Sequence, residues 1–416
     1  MKRTLITLII LSISSIVFSQ ALQPNDSIKK FVDYLNNNSF LSPKEYILNS
    51  FDKKDIIVLS ERLHPEFKQY EMIVDIIKDD KFKGDIYTEV GVFNVGKQIN
   101  ELLKKEGLSE DKVKKEILNI FKSLDYTPLW PMYNYYYLIK SIYETNQQRK
   151  PDEKIYLHPL DVVFDWDSVN CAEQYSMFDK MMEPQNGFSP VISRNTIMAE
   201  HFIKAYSTVK HHNPNKRKAL VILNTYHGYT RIPKYIPNPN EPFIYSTAEY
   251  IYKAFPSITK GILINGYSFS TINKFVAKGK WDAAFRITGN KSLGFNLENT
   301  PFGSTQFDMY NFGGSDYEKV SFEYMFDGFI FYEPIDSFEI AIGIPNLFND
   351  SSFVEEFYRR TAIAEKIPLN KAKSSKEIKE IIKEYNTLTI ENIRYNKYLK
   401  QDFEDFNVEI NKWINK

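Results

Sequence analysis

The sequence predicts a three-layer α/β/α fold with a mostly parallel central sheet, followed by a C-terminal helical extension. Three observations predict it. From about Asp55 onward, short apolar runs rich in β-branched residues alternate with stretches that carry apolar residues at helical spacing. The short runs are continuously apolar, as strands covered on both faces are. With 416 residues, 43% of them hydrophobic and 15% aromatic, the chain can fill a large core.

The first residues have the pattern of a secretory signal. Lys2 and Arg3 precede an apolar run from Leu5 to Val17, and Val17 and Ser19 are the small residues expected before a cut at Gln20. The expected organisation is a signal peptide at 1–19, an α/β domain at 20–345 and a helical extension at 346–416. The mature chain is expected to be exported, either periplasmic or secreted. No later run reaches ~18 apolar residues, so no membrane span is expected after cleavage. The 53 basic residues balance 53 acidic ones, which leaves no cationic excess for phosphates and argues against a nucleic-acid partner. The lone cysteine, Cys171, excludes an internal disulfide and any multi-thiolate metal site.

Residues 20–49 read as a short polar helical lead-in with Phe31, Tyr34 and Leu35 on one side. Strands are expected at Ile56–Ser60, Asp85–Glu89, Lys154–His158, Ala219–Asn224, Lys260–Asn265 and Gly328–Tyr332. Helices are expected at Pro65–Lys78, Val95–Lys105, Asp111–Lys122, Tyr133–Tyr143, Val191–Val209 and Thr247–Ala254. Residues 289–314 break this rhythm with Gly, Asn, Ser and Phe, and form either a surface loop or an aromatic lid over a pocket. Beyond Pro345 the chain is charged and helical, with Glu355–Ile363, Ser375–Glu384 and Tyr398–Ile414.

The chemistry gathers at strand ends. Ile56 to Leu59 is followed by Ser60, Glu61, Arg62, Leu63, His64 and Pro65. Pro65 disfavours a helical His64 and suits the first turn of the next helix, which places His64 at the carboxyl edge of a strand, where open α/β sheets bind ligands. The positive end of that helix would keep His64 neutral and able to take a proton. All six histidines fall between His64 and His227. His64, His158 and His227 stand at or just beyond strand ends, as do Glu61, Glu89 and Asp161, so neighbouring parallel strands would bring them to one rim able to do general acid–base work. His158 is either such a residue or a satisfied core histidine. His211 and His212 read as surface residues, and His201 lies on a helix. Arg194 opens a helix, a poor position for a cation, which points to a carboxylate or substrate partner. The same groups could hold a divalent metal, but no H-E-x-x-H spacing is present, and no serine sits in a G-x-S-x-G elbow.

In this order the motifs resemble those of the erythromycin esterase family and its wider relatives, the ChaN-like haem-binding and Tiki-like proteins. Ser60-Glu61-Arg62-Leu63-His64 is similar to the family's G-E-x-x-H, and Thr88-Glu89-Val90-Gly91 to its second strand-end Glu. Arg194-Asn195-Thr196-Ile197-Met198-Ala199 is similar to R-D-x-x-M-A, and Asn224-Thr225-Tyr226-His227 to G-N-x-H. Phe326-Asp327-Gly328-Phe329-Ile330-Phe331 is similar to the closing strand, so the resemblance covers roughly Asp55 to Pro334. Ser60 replaces a Gly, Asn195 replaces an Asp, and the Gly before the second His motif is missing. The resemblance implies a hydrolase acting on a small-molecule ester, with His64 as the water-activating base. Glu61 and Glu89 would orient or polarise it, and His227 and Arg194 would stabilise the oxyanion or hold substrate. Asp161 and His158 are expected near the substrate. No metal or cofactor is required on this reading; the alternatives are a haem or divalent-metal binding protein and a Tiki-like metallohydrolase.

Overall fold

The computed structural model describes residues 23–182, 194–214, 216–233, 246–266, 275–309, 319–396 and 399–415. The expected signal peptide, Pro190 and Ser193 ahead of Arg194, and residues 310–314 lie outside the described residues. Its strands are β1 (Gln23–Pro24), β2 (Ile56–Glu61), β3 (Gly84–Val92), β4 (Leu157–Asp161), β5 (Lys218–Asn224), β6 (Thr259–Ile264), β7 (Leu293–Asn296), β8 (Gly328–Phe331), β9 (Glu339–Ile342), β10 (Thr389–Asn392) and β11 (Ile414–Asn415). Its helices are α1 (Asp26–Asn37), α2 (Pro43–Ser50), α3 (Lys68–Lys78), α4 (Gly96–Lys104), α5 (Glu110–Phe121), α6 (Tyr133–Asn146), α7 (Ala172–Met182), α8 (Arg194–His212), α9 (Thr247–Ala254), α10 (Lys280–Ile287), α11 (Phe322–Met325), α12 (Ser351–Ala364), α13 (Leu369–Ser374), α14 (Lys376–Tyr385) and α15 (Lys400–Asn411).

Seven strands form the central sheet in the order β4–β3–β5–β2–β6–β8–β7, all parallel except β7, which runs antiparallel to β8. Every residue of β2 is buried, because its two faces are both covered. Ile57 and Leu59 face a cluster that includes Ile73 and Ile77 of α3, Leu138 and Ile139 of α6 and Phe357 of α12. Ile56 and Val58 face the opposite layer, where Met198 and Phe202 of α8 pack with Ala248 and Ile251 of α9. A third cluster under the β6–β8–β7 half joins Phe31 of α1, Trp281 and Phe285 of α10 and Phe406 of α15. Among the described residues, no helix is long and apolar enough to cross a membrane.

Several expected elements differ from what forms. The third expected strand slides forward from Lys154–His158 to Leu157–Asp161, straight through Pro159. A proline is tolerated there because β4 is an edge strand, and Asp161 becomes the strand's last residue rather than a loop residue. The lead-in is two helices; Ser42 and Glu45 form a reciprocal capping box at the start of α2. The described part of 289–314 is neither a surface loop nor a lid. Leu293, Phe295, Leu297 and Phe302 are buried in the third cluster, and β7 closes the sheet edge. Residues beyond 346 are woven into the molecule. β10 pairs with β9 and β11 with β1, while Phe353 of α12 enters the first cluster and Ile410 of α15 the third.

One close approach sets the rim of the sheet. A Cβ at Gly228, just past β5, would lie 2.2 Å from Ser60 Oγ on β2, and that hydroxyl donates to Gly228 O at 3.3 Å. The side chain that Ser60 adds is therefore accommodated by the absence of one at Gly228. Gly228→Ala should destabilise the protein by roughly 1–3 kcal/mol through overpacking. Ser60→Gly in the same chain should recover most of that loss in a urea double-mutant cycle; additive effects would mean that the two positions do not compete for space.

Candidate active site

The site is built at the carboxyl ends of four adjacent strands, β4, β3, β5 and β2. After Glu61 the chain turns through Arg62 to Phe67 before α3 begins at Lys68. This turn is pinned. Gln69 Oε1 accepts from Arg62 N at 2.8 Å and Gln69 Nε2 donates to Leu63 O at 2.7 Å. Asn134 Nδ2 donates to His64 O at 2.6 Å and to Glu66 O at 3.0 Å. The Glu66 carboxylate accepts from Lys68 N and Gln69 N, both at 3.0 Å, and so caps α3. Pro65 therefore lies in the turn rather than in the first helical turn, and the positive end of α3 is met by Glu66, not by His64. The buried Arg62 guanidinium lies 3.3 Å from Glu66 and 3.9 Å above the Phe338 ring.

On β3, the register against β4 shifts between Thr88 and Val92, with Gly91 at φ +98°, a region that favours glycine. The irregularity carries Glu89, whose Oε2 accepts from the Asn224 amide at 2.8 Å. His64 sits between two carboxylates: its Nδ1 contacts Glu61 Oε1, and its Nε2 lies 3.8 Å from Glu89 Oε1. Glu61 is held in turn by the Tyr70 hydroxyl at 3.1 Å. Arg194 grips Asp161 with Nε to Oδ1 at 2.9 Å and Nη2 to Oδ2 at 2.8 Å, a bidentate pair. Its Nη2 also donates to Glu89 Oε1 at 3.2 Å, and its Nη1 lies 3.1 Å from His227 Nε2. His227 Nδ1 lies 2.6 Å from Asn195 Oδ1, which also accepts from Thr247 Oγ1 at 2.9 Å. Trp130 stands edge-on to His64 with ring centroids 5.1 Å apart.

Glu61, Glu89 and Asp161 are all buried, while the side chains of His64 and Arg194 are partly exposed, at 25% and 21%. Burial works against a charged His64, but Glu61 and Glu89 outweigh it and push the imidazole up to about 9. This corrects the expectation of a neutral His64: the helix end that would have disfavoured its charge is capped by Glu66, and two carboxylates stand in its place. Burial alone would raise Glu89, yet the cationic groups that face it, Arg194 and His64 among them, hold it well below the usual carboxylate range. Burial disfavours a charged Arg194 as well, and Asp161 and Glu89 overcome it and keep the cation firmly protonated. Asp125 is pushed up to about 6, first by burial and then by the nearby Asp161.

Glu61, His64, Glu89, Asp161, Arg194 and His227 thus meet in one cluster. His158 does not join it: its ring stacks on Tyr87 and its Nε2 lies 3.4 Å from Asp85, which also pairs with Lys216 at 2.5 Å. The forward slide of β4 puts Asp161, not His158, at the strand end. His201 stacks on Phe93 and bonds Leu160 O at 2.8 Å, and His211 and His212 are exposed. Sequence reasoning missed Asp125, Tyr126 and Trp130, which reach the cluster from the segment between α5 and α6. They carry no spacing signal; the density of aromatic and turn residues from Asp125 to Trp130 is the only hint. A wide groove of about 870 Å³ between α7 and α13, lined by Met177 and Leu369, lies apart from this cluster and holds none of its residues.

A metal bound in this cluster would compete with Arg194. Glu61, His64 and Glu89 can each bring one ligand atom within 4.8 Å of the others. The Glu89 oxygen nearest His64 already accepts from Arg194, so a cation would have to share or displace that bond. For a haem, both ring nitrogens of His227 face partners, which leaves His64 Nε2, 3.8 Å from Glu89, as the open imidazole nitrogen of the cluster.

No protein-family model matches this chain, and no curated protein matches it. Solved structures to which this chain is similar include a Bacillus cereus protein, at 10% identity and TM-score 0.42, over 73% of this chain and 96% of that one. A mutant of the erythromycin esterase EreC in its open conformation is similar at 10% identity and TM-score 0.45, over 69% of this chain and 92% of that one. ChaN of Campylobacter jejuni, with cofacial haem binding, is similar at 11% identity and TM-score 0.29, over 53% of this chain and 85% of that one.

The electrostatics set a pH dependence of stability. The His64 pKa is raised from 6.5 to about 9 on folding, so its contribution is fully present below about 6.5 and is lost as pH rises through about 9. Urea midpoints should therefore fall between pH 7 and pH 10, and His64→Gln should flatten that part of the curve. A variant that keeps the full slope would place the titration elsewhere.

Proposed function

We propose that this protein is an exported hydrolase that cleaves an ester or related acyl bond of a small molecule, with His64 moving the proton of the attacking water. One observation carries the reading: a partly exposed imidazole backed by a buried carboxylate on Nδ1, next to a guanidinium anchored by two further carboxylates. The motif order along the sequence supports the same chemistry.

In the reactive form, His64 keeps its Nδ1 proton against Glu61 and offers the Nε2 lone pair to a water. As that water's oxygen bonds to the substrate carbonyl carbon, its proton passes to Nε2 and the carbonyl π pair moves onto oxygen. An arginine has five N–H donors. Four of those of Arg194 go to Asp161, Glu89 and His227, which among the described residues leaves one on Nη1 for the developing oxyanion. Collapse of the tetrahedral intermediate breaks the carbon–oxygen bond, and the leaving alkoxide takes the proton back from Nε2. Glu61 and Glu89 stabilise the imidazolium formed midway. The same two carboxylates hold His64 mostly protonated at neutral pH, so only about 1% of the free enzyme is in the reactive form at pH 7. Trp130 gives the imidazole an apolar wall, and Asp161 acts as the anchor of Arg194 rather than as a proton carrier.

Assays on a panel of neutral esters should show kcat/KM rising about tenfold per pH unit and levelling near pH 9. Glu61→Gln should move that limb to lower pH while reducing the plateau, and His64→Ala should lower the rate by at least ~100-fold. Equal rates for the wild type and His64→Ala would end the reading. Export rests on Lys2, Arg3 and the apolar run to Val17; the N-terminus of protein recovered outside the cytoplasm should be Gln20, and an intact Met1 would refute processing.

A further inference from the structure

We infer that Asn195 is a positioning residue that sets the tautomer of His227, and that this tautomer decides which N–H of Arg194 is left for substrate. Two partners compete for His227 Nε2. Glu89 Oε1, at 3.3 Å, would accept an N–H from it; Arg194 Nη1, at 3.1 Å, can only donate and needs a lone pair there. The contest is settled at the other end of the ring. Asn195 Oδ1 lies 2.6 Å from Nδ1 and, as an acceptor, requires the proton on that nitrogen. The Thr247 hydroxyl lies 2.9 Å from the same oxygen and 3.3 Å from the Asn195 main-chain oxygen; the Arg194 N–H facing Nε2 requires the proton on Nδ1 and so turns the amide oxygen, not its nitrogen, to the ring. A second proton on Nε2 would set an N–H against the Arg194 N–H. His227 therefore carries its proton on Nδ1 and accepts from Arg194 through Nε2, as a buttress of the guanidinium. In this state it does not donate to an oxyanion.

An amide, rather than a carboxylate, at position 195 is what makes this arrangement stable. A carboxylate 2.6 Å from Nδ1 would favour the doubly protonated ring, whose Nε2–H would turn to Glu89 and repel Arg194. The guanidinium would keep its grip on Asp161 but lose the contact that aims Nη1. The role of the remaining N–H as oxyanion donor rests on the hydrolase reading; the tautomer does not.

The test is a long-range proton–nitrogen spectrum of the 15N-labelled wild type at pH 7.5, with the His227 ring assigned by its disappearance in His227→Gln. The expected signature is a protonated Nδ1 and an unprotonated Nε2. Asn195→Asp should give a ring protonated on both nitrogens, with kcat on the best ester falling at least tenfold and KM changing far less. Asn195→Ala should move the proton to Nε2. A wild-type ring protonated on Nε2, or a tautomer unchanged in Asn195→Asp, would overturn the inference. If a variant fails to fold, the wild-type spectrum still decides. If the Nδ1–H tautomer is found but no ester is cleaved, the hydrolase reading falls and the assignment of Asn195 stands.

Discussion

Everything at this site depends on how the molecule neutralises three carboxylates buried at the rim of its sheet. Glu61, Glu89 and Asp161 each end up almost without solvent, an arrangement that is costly unless cations and hydrogen bonds compensate. Arg194 supplies the largest share. Its planar fork reaches Asp161 with two bonds and Glu89 with a third, which a lysine could not reproduce. The helix start that looked electrostatically wrong for an arginine is the place from which α8 can present the fork to both strands.

The same compensation explains the state of His64. A helix terminus changes the energy of a nearby charge by about 0.3–1 kcal/mol when exposed. Raising an imidazole from 6.5 to about 9 corresponds to roughly 3 kcal/mol. Two close carboxylates therefore dominate any dipole, and Glu66 has in addition taken the helix amides for itself. On the proposed hydrolytic reading, the cluster trades readiness of the base at neutral pH for strong stabilisation of the imidazolium that would form as water attacks. Trp130, edge-on to His64, keeps the imidazole partly dry, which strengthens both effects.

The positions at which this chain departs from the motifs it resembles are matched by compensating neighbours. Ser60 brings a side chain to a crowded strand end, and Gly228 across from it has none. Asn195 brings an amide where a carboxylate would be expected, and the amide oxygen serves His227 and Thr247 at once. Neither Ser60 nor Asn195 leaves its own side chain unpaired.

The linear chain determined the layered α/β architecture, because alternation of short apolar runs with amphipathic stretches has few other solutions, and it determined that Glu61 ends a strand and that His64 and His227 follow strand ends; Glu89, expected at a strand end, lies instead within β3, which runs on to Val92. It could not decide matters that depend on neighbours far away in sequence. The strand through Pro159 is displaced from its expected place because a proline is acceptable only on an edge, and edges exist only once strands are ordered. The aromatic stretch after residue 289 has the composition of a loop because its partners, from α1 to α10, lie elsewhere in the chain. His158 and Asp161 stand three residues apart, and only the register of β4 decided which of them reaches Arg194. Charge and tautomer were settled last, by tertiary structure alone, because both respond to distances of a few ångströms between groups brought together from separate segments of the chain.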